Sequence, residues 1–305
     1  MANLRDIKKR ITSVTSTKQI TRTMEMVATA KIRRALERAK AAEPYKDAIS
    51  DIMVTVAQDA SVGEGGNPLF ERHESVRCIA VVAIASDRGL AGGFNVNVER
   101  EAERISREAA DRGVECRLIT CGRKPTEYFS GRGIKPVMSF AGESADPSLE
   151  SARMISAYVR DGYESGAIDE VLVVYHHAKN RVDQVLRTEQ LLPLDPEQVK
   201  AARGPRTTDK DAPERISSSF EFIPSATHVL GHLIPSYVLT VVHQALIDSA
   251  AAEQGARRKA MNSATENATQ IIATLTRTYN RVRQGSITTE LNEIVGGAAA
   301  LEEVS

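Results

Sequence analysis

From Leu4 onward, apolar side chains return at steps of three and four as Leu4, Ile7, Ile11 and Val14, and the series resumes as Ala28, Ile32, Ala35, Ala39 and Ala42. This spacing makes a heptad seam, the narrow stripe by which one helix lies along another, rather than the broader stripe of a globular helix. Lys18, Thr21 and Glu25 fall on the same seam, so its middle is polar. A coiled coil that needed nothing but itself would not choose them. The opposite end is also unusual. Residues Gln284 to Leu301 form an apolar, alanine-rich close to a long, charged, helix-patterned segment. Chain ends are normally frayed and polar, so an apolar one is expected to be held by something.

Between these ends the period changes. Residues 3 to about 58 read as one helix interrupted at Pro44, where a kink or join is expected, and closed by Gly63 to Pro68. Strands are expected at Val76–Ala85, Val114–Thr120, Ile134–Phe140 and Val171–His176, with Gln184–Leu192 as the edge or antiparallel member. Helices are expected at Asn95–Arg112, Pro125–Ser130 and Leu149–Tyr163. Strands alternating with helices argue for a small α/β domain with a mostly parallel sheet. Residues 195 to 215 read as a solvated, proline-bearing loop, and after Pro224 the chain returns to helix through Tyr237, Val241, Ala245, Ala252, Ala268, Ile271, Leu275 and Val282.

Length then constrains the arrangement. An α/β domain of roughly 150 residues is about 30 to 40 Å across, whereas helices of roughly 55 and 75 residues span about 80 and over 100 Å. Both terminal helices are therefore expected to project from the domain and to pair as an antiparallel coil, the longer one continuing alone for about 30 Å. The expected fold class is α/β, a long antiparallel coiled coil of N- and C-terminal helices plus a small Rossmann-like α/β domain. The expected segments are a shaft helix at 1–60, the globular domain at 70–195, a loop and foot region at 196–222 and a second shaft helix at 223–305.

Composition agrees with long helices, since charged residues are 26%, aromatics 4%, and Trp is absent. The formal net charge is zero, yet residues 1 to 40 carry Arg5, Lys8, Lys9, Arg10, Lys18, Arg22, Lys31, Arg33, Arg34, Arg38 and Lys40 against only Asp6, Glu25 and Glu37. Such a basic end implies an acidic partner. Cys78, Cys116 and Cys121 lack metal-site spacing and read as buried free thiols. No stretch reads as the roughly 20 apolar residues that span a bilayer. The basic start also fits an organelle leader, a reading set aside because the seam runs on past residue 40.

Few residues suggest chemistry. Ser86 to Asn95, Ser-Asp-Arg-Gly-Leu-Ala-Gly-Gly-Phe-Asn, lies after a strand and before a helix, where a doubly wound fold would cradle a phosphate. It has neither dinucleotide nor P-loop spacing, and a tight turn presenting Arg88 to a partner is the better reading. His176-His177 on a strand and His228, His232 and His243 on a helix read as surface or core histidines rather than metal ligands. No catalytic, cofactor-binding or metal residues are assigned. Basic helices without interleaved aromatics argue against nucleic acid.

Three motifs resemble one family. Lys18-Gln19-Ile20-Thr21 followed by Met24-Glu25-Met26-Val27-Ala28 and Lys31 is similar to the N-terminal signature of the gamma subunit of the rotary ATP synthase. Tyr279 to Ala298 resembles that family's C-terminal signature, and Asp87 to Gly93 its central turn. The resemblance spans essentially the whole chain. It implies a non-catalytic rotor shaft, driven by protons or possibly sodium, inside a hexamer of alpha and beta subunits. It also implies that the α/β domain rests on a c-subunit ring beside epsilon, and that contact with the membrane is made only through that ring, on the cytoplasmic side of a bacterial cell membrane. The partner contacts implied are Arg22, Met24 and Lys31 on the first helix, Arg88, Gly92 and Gly93 in the turn, and Arg257, Arg283, Gln284, Thr288 and Glu290 on the last. Phe220-Glu221-Phe222 matches the foot region. Arg258-Lys259 and Gly285 depart from the family pattern, the glycine at an expected cost of about 1 kcal/mol to the helix. The competing reading is a nucleotide-binding α/β enzyme with helical dimerisation arms.

Overall fold

Strand β1 (Cys78–Ile84) shows why the middle of the chain becomes a sheet. All seven of its residues are buried, which is the signature of a parallel strand covered on both faces. The computed structural model describes residues 4–57, 68–180, 182–195 and 226–302. Of the loop expected at 195–215 all but Asp195, together with residues 63–67 and Phe220-Glu221-Phe222, lies outside them. In chain order the elements are α1 (Leu4–Ala57), β1, α2 (Phe94–Asp111), β2 (Glu115–Cys121), α3 (Arg123–Ser130) and β3 (Met138–Phe140). They continue with α4 (Leu149–Glu164), β4 (Glu170–Ala178), β5 (Gln184–Leu192) and α5 (Ala226–Glu302). The chain divides into two units, Met1–Ala28 with Arg258–Ser305, and Thr29–Arg257.

The larger unit is a Rossmann-like sheet body. Its strand order is β3-β2-β1-β4-β5, parallel from β3 to β4 and antiparallel where β5 meets β4. Alternation along β1 sorts the core into two faces. Cys78, Ala80, Val82 and Ile84 face α4, the later part of α1 and the early part of α5, whereas Ile79, Val81 and Ala83 face α2 and α3. Tyr163 and Phe129 are fully buried, one in each face, and each such side chain stabilises the fold by about 1.5–3 kcal/mol.

Two expectations are corrected. Pro44 neither ends nor joins anything, because α1 is continuous through it. Its ring sits on the exposed side of the helix, between half-buried Ala42 and Lys46, so the Lys40 carbonyl that loses its i+4 donor can turn to water. The strand expected over Ile134–Phe140 shrinks to Met138–Phe140. Ile134 instead donates its N–H to the Phe129 carbonyl at 3.0 Å and closes α3, with Gly133 at φ +78° making the turn. One reading of composition also changes. A window within His228–Gly296 is long and apolar enough to cross a bilayer, but 44% of it is buried inside the protein, as befits a helix that covers a sheet.

The smaller unit is a two-helix coil. On α1 the seam reads Leu4, Ile7, Ile11, Val14, Lys18, Thr21, Glu25 and Ala28, each half-buried or buried while its neighbours are mostly exposed. On α5 the facing series includes Met261, Thr265, Ala268, Ile272, Leu275, Val282 and Ser286. Thr21 and Thr265 meet across the coil, Oγ1 to Oγ1, at 2.8 Å. Beyond Ser286 the described side chains are exposed. Gly285 is exposed with nothing within 4 Å of an added Cβ. Gly285→Ala is therefore expected to stabilise the helix by about 1 kcal/mol, read as a higher helical melting midpoint by circular dichroism with no loss of coil pairing.

Candidate partner-binding surfaces

In the coil, hydrophobicity is inverted over one stretch. Where Lys18, Thr21 and Glu25 occupy the seam, Ile20, Met26 and Val27 point outward at 60, 59 and 50% exposure. A helix that draws charge into its seam and leaves isoleucine exposed offers an apolar surface to a partner. Arg22 is exposed on this same stretch and Met24 is half-buried. On α5, Ile271 is about half exposed, and from Ile287 through Leu291 to Ile294 and Val295 exposure rises to 68% at Ile294. Arg283, Gln284, Thr288 and Glu290 are exposed along that run, with the Thr288 hydroxyl donating to the Gln284 carbonyl. Ile20, Met26 and Val27 stand in the N-terminal motif and Ile271 in the helix series, but none reads from sequence as a partner contact, although the polar seam opposite the first three is the available signal.

The second surface belongs to the sheet body. The turn after β1 presents Arg88, Gly89, Leu90, Gly92 and Gly93 to solvent, with Leu90 at φ +63° and Gly92 at φ +60°. Its shape is fixed from within. Asn95 accepts at Oδ1 from the Ser86 N–H at 2.9 Å and from the Ser86 hydroxyl at 2.8 Å, and its Nδ2 donates to the Arg88 carbonyl. Arg257, expected as a partner contact, is turned inward. It ion-pairs with Glu253 at 2.5 Å and reaches the carbonyls of Arg88 and Gly89, both at 3.4 Å. The structure thus brings Arg257 to the 88–93 turn. Lys31 is exposed on α1.

The same turn bears on the competing reading, in which it would hold a nucleotide. At the carboxyl ends of the strands, where a doubly wound sheet would seat a phosphate, the Asp87 carboxylate takes the backbone donors. It accepts from the N–H of Arg123 at 2.9 Å, Gly142 at 2.8 Å and Ser144 at 3.0 Å. Burial opposes its charge, but the donors from Gly142, Ser144 and Arg123 outweigh it and hold the group below the usual aspartate range. The chain supplies its own anion to that seat. The crevice behind it, lined by Ile84, Cys121, Glu143 and Leu246, has room for about 20 Å³, far below the 300 Å³ or so that a small-molecule site needs.

His176, His177 and His73 are held by packing and hydrogen bonds, and His228 and His232 lie at the surface. His176 is buried against Phe94, rings 4.7 Å apart, with Nε2 3.1 Å from the Phe94 carbonyl; burial pushes it toward the neutral form. His177 pairs with Asp248 at 2.7 Å and His73 with Asp169 at 2.6 Å. His228 and His232 meet edge to face at 5.0 Å. Among the described residues no group of histidine, cysteine and carboxylate side chains could hold a metal ion. Cys78 and Cys121 are buried free thiols and Cys116 is half-buried and free.

A Rossmann-like body and a two-helix coil that carries exposed apolar side chains are features of a stalk-type subunit, and comparison with known proteins gives the family. The family model described as ATP synthase matches residues 3–301. Among solved structures the fold is shared with a chain of the Euglena gracilis mitochondrial ATP synthase (OSCP/F1/c-ring), at TM-score 0.65 and 19% identity over 98% of this chain and 94% of that one. It is shared also with a chain of the Tetrahymena thermophila mitochondrial ATP synthase central stalk and c-ring, at TM-score 0.59 and 22% identity over 80% and 99%. The ATP synthase gamma chain of Chlorobaculum tepidum is 39% identical over 99% of this chain and all of its own length. That of Anaeromyxobacter sp. strain Fw109-5 is 41% identical over the same shares. The chain belongs to the ATP synthase gamma-chain family.

Proposed function

We propose that this chain is the central rotor shaft of a membrane-bound ATP synthase, carrying torque between a c-subunit ring and the catalytic hexamer of alpha and beta subunits, and that it is itself non-catalytic. In this reading the hexamer surrounds the coil, epsilon lies beside the sheet body, and the complex works on the cytoplasmic side of a bacterial cell membrane. The observation that carries it is the stretch of coil where Lys18, Thr21 and Glu25 hold the seam while Ile20, Met26 and Val27 face outward, followed by a helix end whose Ile287, Leu291, Ile294 and Val295 are 49 to 68% exposed among the described residues.

The physics is a population shift. A shaft face that fits one conformation of a catalytic site better than another biases that site, and turning the face moves the bias to the next. Small apolar contacts at the tip let it turn, because they are non-directional. Arg22, Met24, Lys31, Arg88, Gly92, Gly93, Arg257, Arg283, Gln284, Thr288 and Glu290 are the residues assigned to partner contact. Of these, Arg257 would act through the turn it holds rather than by reaching out.

The test is co-expression with the host's alpha and beta subunits, followed by ATP-driven rotation of a bead fixed to the chain. Unidirectional rotation supports the reading; a folded chain that does not assemble with them sinks it. A paired substitution separates surface from stability. Leu291→Asp with Ile294→Asp alters residues that are 56 and 68% exposed, so the isolated chain's unfolding should move by no more than about 0.5 kcal/mol. Recovery of the assembled complex by native mass measurement should fall several-fold.

A further inference from the structure

Where α5 crosses the sheet body it is buried, and yet Gln244, Asp248, Ser249, Glu253 and Gln254 are each no more than 7% exposed. A helix that had only to adhere to the sheet would carry apolar residues at these positions. Asp248 is bonded on two sides. The Nδ1 of His177, at the end of β4, donates to its Oδ2 at 2.7 Å, and the side-chain amide of Gln244 donates to its Oδ1 at 3.3 Å. The same amide approaches the Ala39 carbonyl on α1 at 3.5 Å, and the Ser249 hydroxyl approaches the Ile84 carbonyl at the end of β1 at 3.4 Å. One stretch of α5 is thereby tied to two central strands and to the other long helix. The remaining oxygen of Gln244 is buried with no donor, a cost accepted for a geometry rather than for adhesion.

The surrounding contacts are apolar. Val242, Ala245 and Leu246 lie in the core facing Ile84 and Val173. Such contacts oppose separation but tolerate a helix rolling about its axis, whereas hydrogen bonds have direction and oppose the roll. Buried, mutually bonded polar groups fix one arrangement of a core. We infer that the His177–Asp248–Gln244 chain is a torsional joint, which locks the sheet body to the two long helices against twist. This rests on the shaft reading, in which twist is the load, and it makes His177 and Asp248 positioning residues.

The experiment uses the assembled alpha–beta–gamma complex with the hexamer fixed to glass. A bead is attached to a cysteine placed at Arg107, 73% exposed on α2, in a Cys116→Ser background. The angular variance of the stalled bead reports torsional stiffness. His177→Leu and Asp248→Leu are each expected to raise it about two-fold, the double variant no further, since one chain of bonds is cut once. His177→Asn, which keeps a donor, should restore it. Unchanged variance in single variants that assemble normally would overturn the joint, as would an additive double variant. If the leucine variants do not assemble, Asp248→Asn serves in their place. If the natural chain does not turn in the hexamer, the shaft reading fails, and hydrogen exchange on the isolated chain then reads the joint. Faster exchange in His177→Leu at both 244–250 and 175–178 supports it, and unchanged exchange overturns it.

Discussion

Gly122→Ala is expected to unfold the chain's sheet body, or to leave it destabilised by about 3 kcal/mol or more. Gly122 stands at φ +106°, ψ +150° between β2 and α3, a region of backbone space that is essentially glycine's alone. Space forbids a side chain as firmly as conformation does. An added Cβ would lie 2.5 Å from the Ala85 carbonyl oxygen and 2.9 Å from both the Ala85 carbonyl carbon and the Ser86 oxygen. All three are backbone atoms that β1 and its turn hold in place, through Ala85 N–H to Cys121 O at 2.9 Å and Lys124 N–H to Ser86 O at 3.1 Å. No rotamer change relieves the contact. Urea unfolding at neutral pH checks it; a midpoint within error of the natural chain would show that the β1 and β2 ends can part without cost.

The second large effect is expected at Asp169, buried at the start of β4. Its Oδ2 accepts from the N–H of Arg77 at 2.7 Å and of Cys78 at 2.9 Å, and its Oδ1 meets His73 at 2.6 Å. Asp169→Ala leaves those donors unanswered, at a cost of roughly 2–4 kcal/mol. The effect has a pH signature. Burial works against the ionised form, but the Arg77 N–H, His73 and the Cys78 N–H prevail and depress the Asp169 pKa. A depressed carboxylate contributes stability that is present above its unfolded value and is lost as pH falls through its folded one. In the natural chain, stability should therefore decline below about pH 4, and the decline should be shallower in Asp169→Ala. Denaturant midpoints at pH 7 and pH 3 measure both; a parallel pair of acid slopes would remove Asp169 from the account.

Much of the architecture was legible because it is periodic. The 3-4 spacing on α1 placed Lys18, Thr21 and Glu25 on the seam despite their polarity, and the structure finds them there, half-buried or buried. The strand cores and the antiparallel β5 followed from runs of branched apolar residues and their bounding turns. What period cannot convey is where a side chain faces or which distant partner it meets. Pro44 signals a break only if its helix needs the lost bond, and on the solvent side it does not. Ile134 looks like a strand residue but is the closing residue of α3. The partners of Asp87 lie 36, 55 and 57 positions away, so the self-filled anion seat has no local signature. Nor do Gln244 and Asp248 announce themselves, since their bonds run to α1 and β4. Arg257 shows the limit of resemblance, which assigns a contact by position without saying which way the side chain turns.

The inverted coil bears on how such a chain must be made. With Ile20, Met26 and Val27 outward in the middle and Ile294 and Val295 outward at the end, each copy folded without company offers adhesive surface to any other copy. Copies in excess of their partners would be a burden on the cell rather than a reserve. Synthesis in proportion to whatever covers these residues would keep that surface from meeting itself.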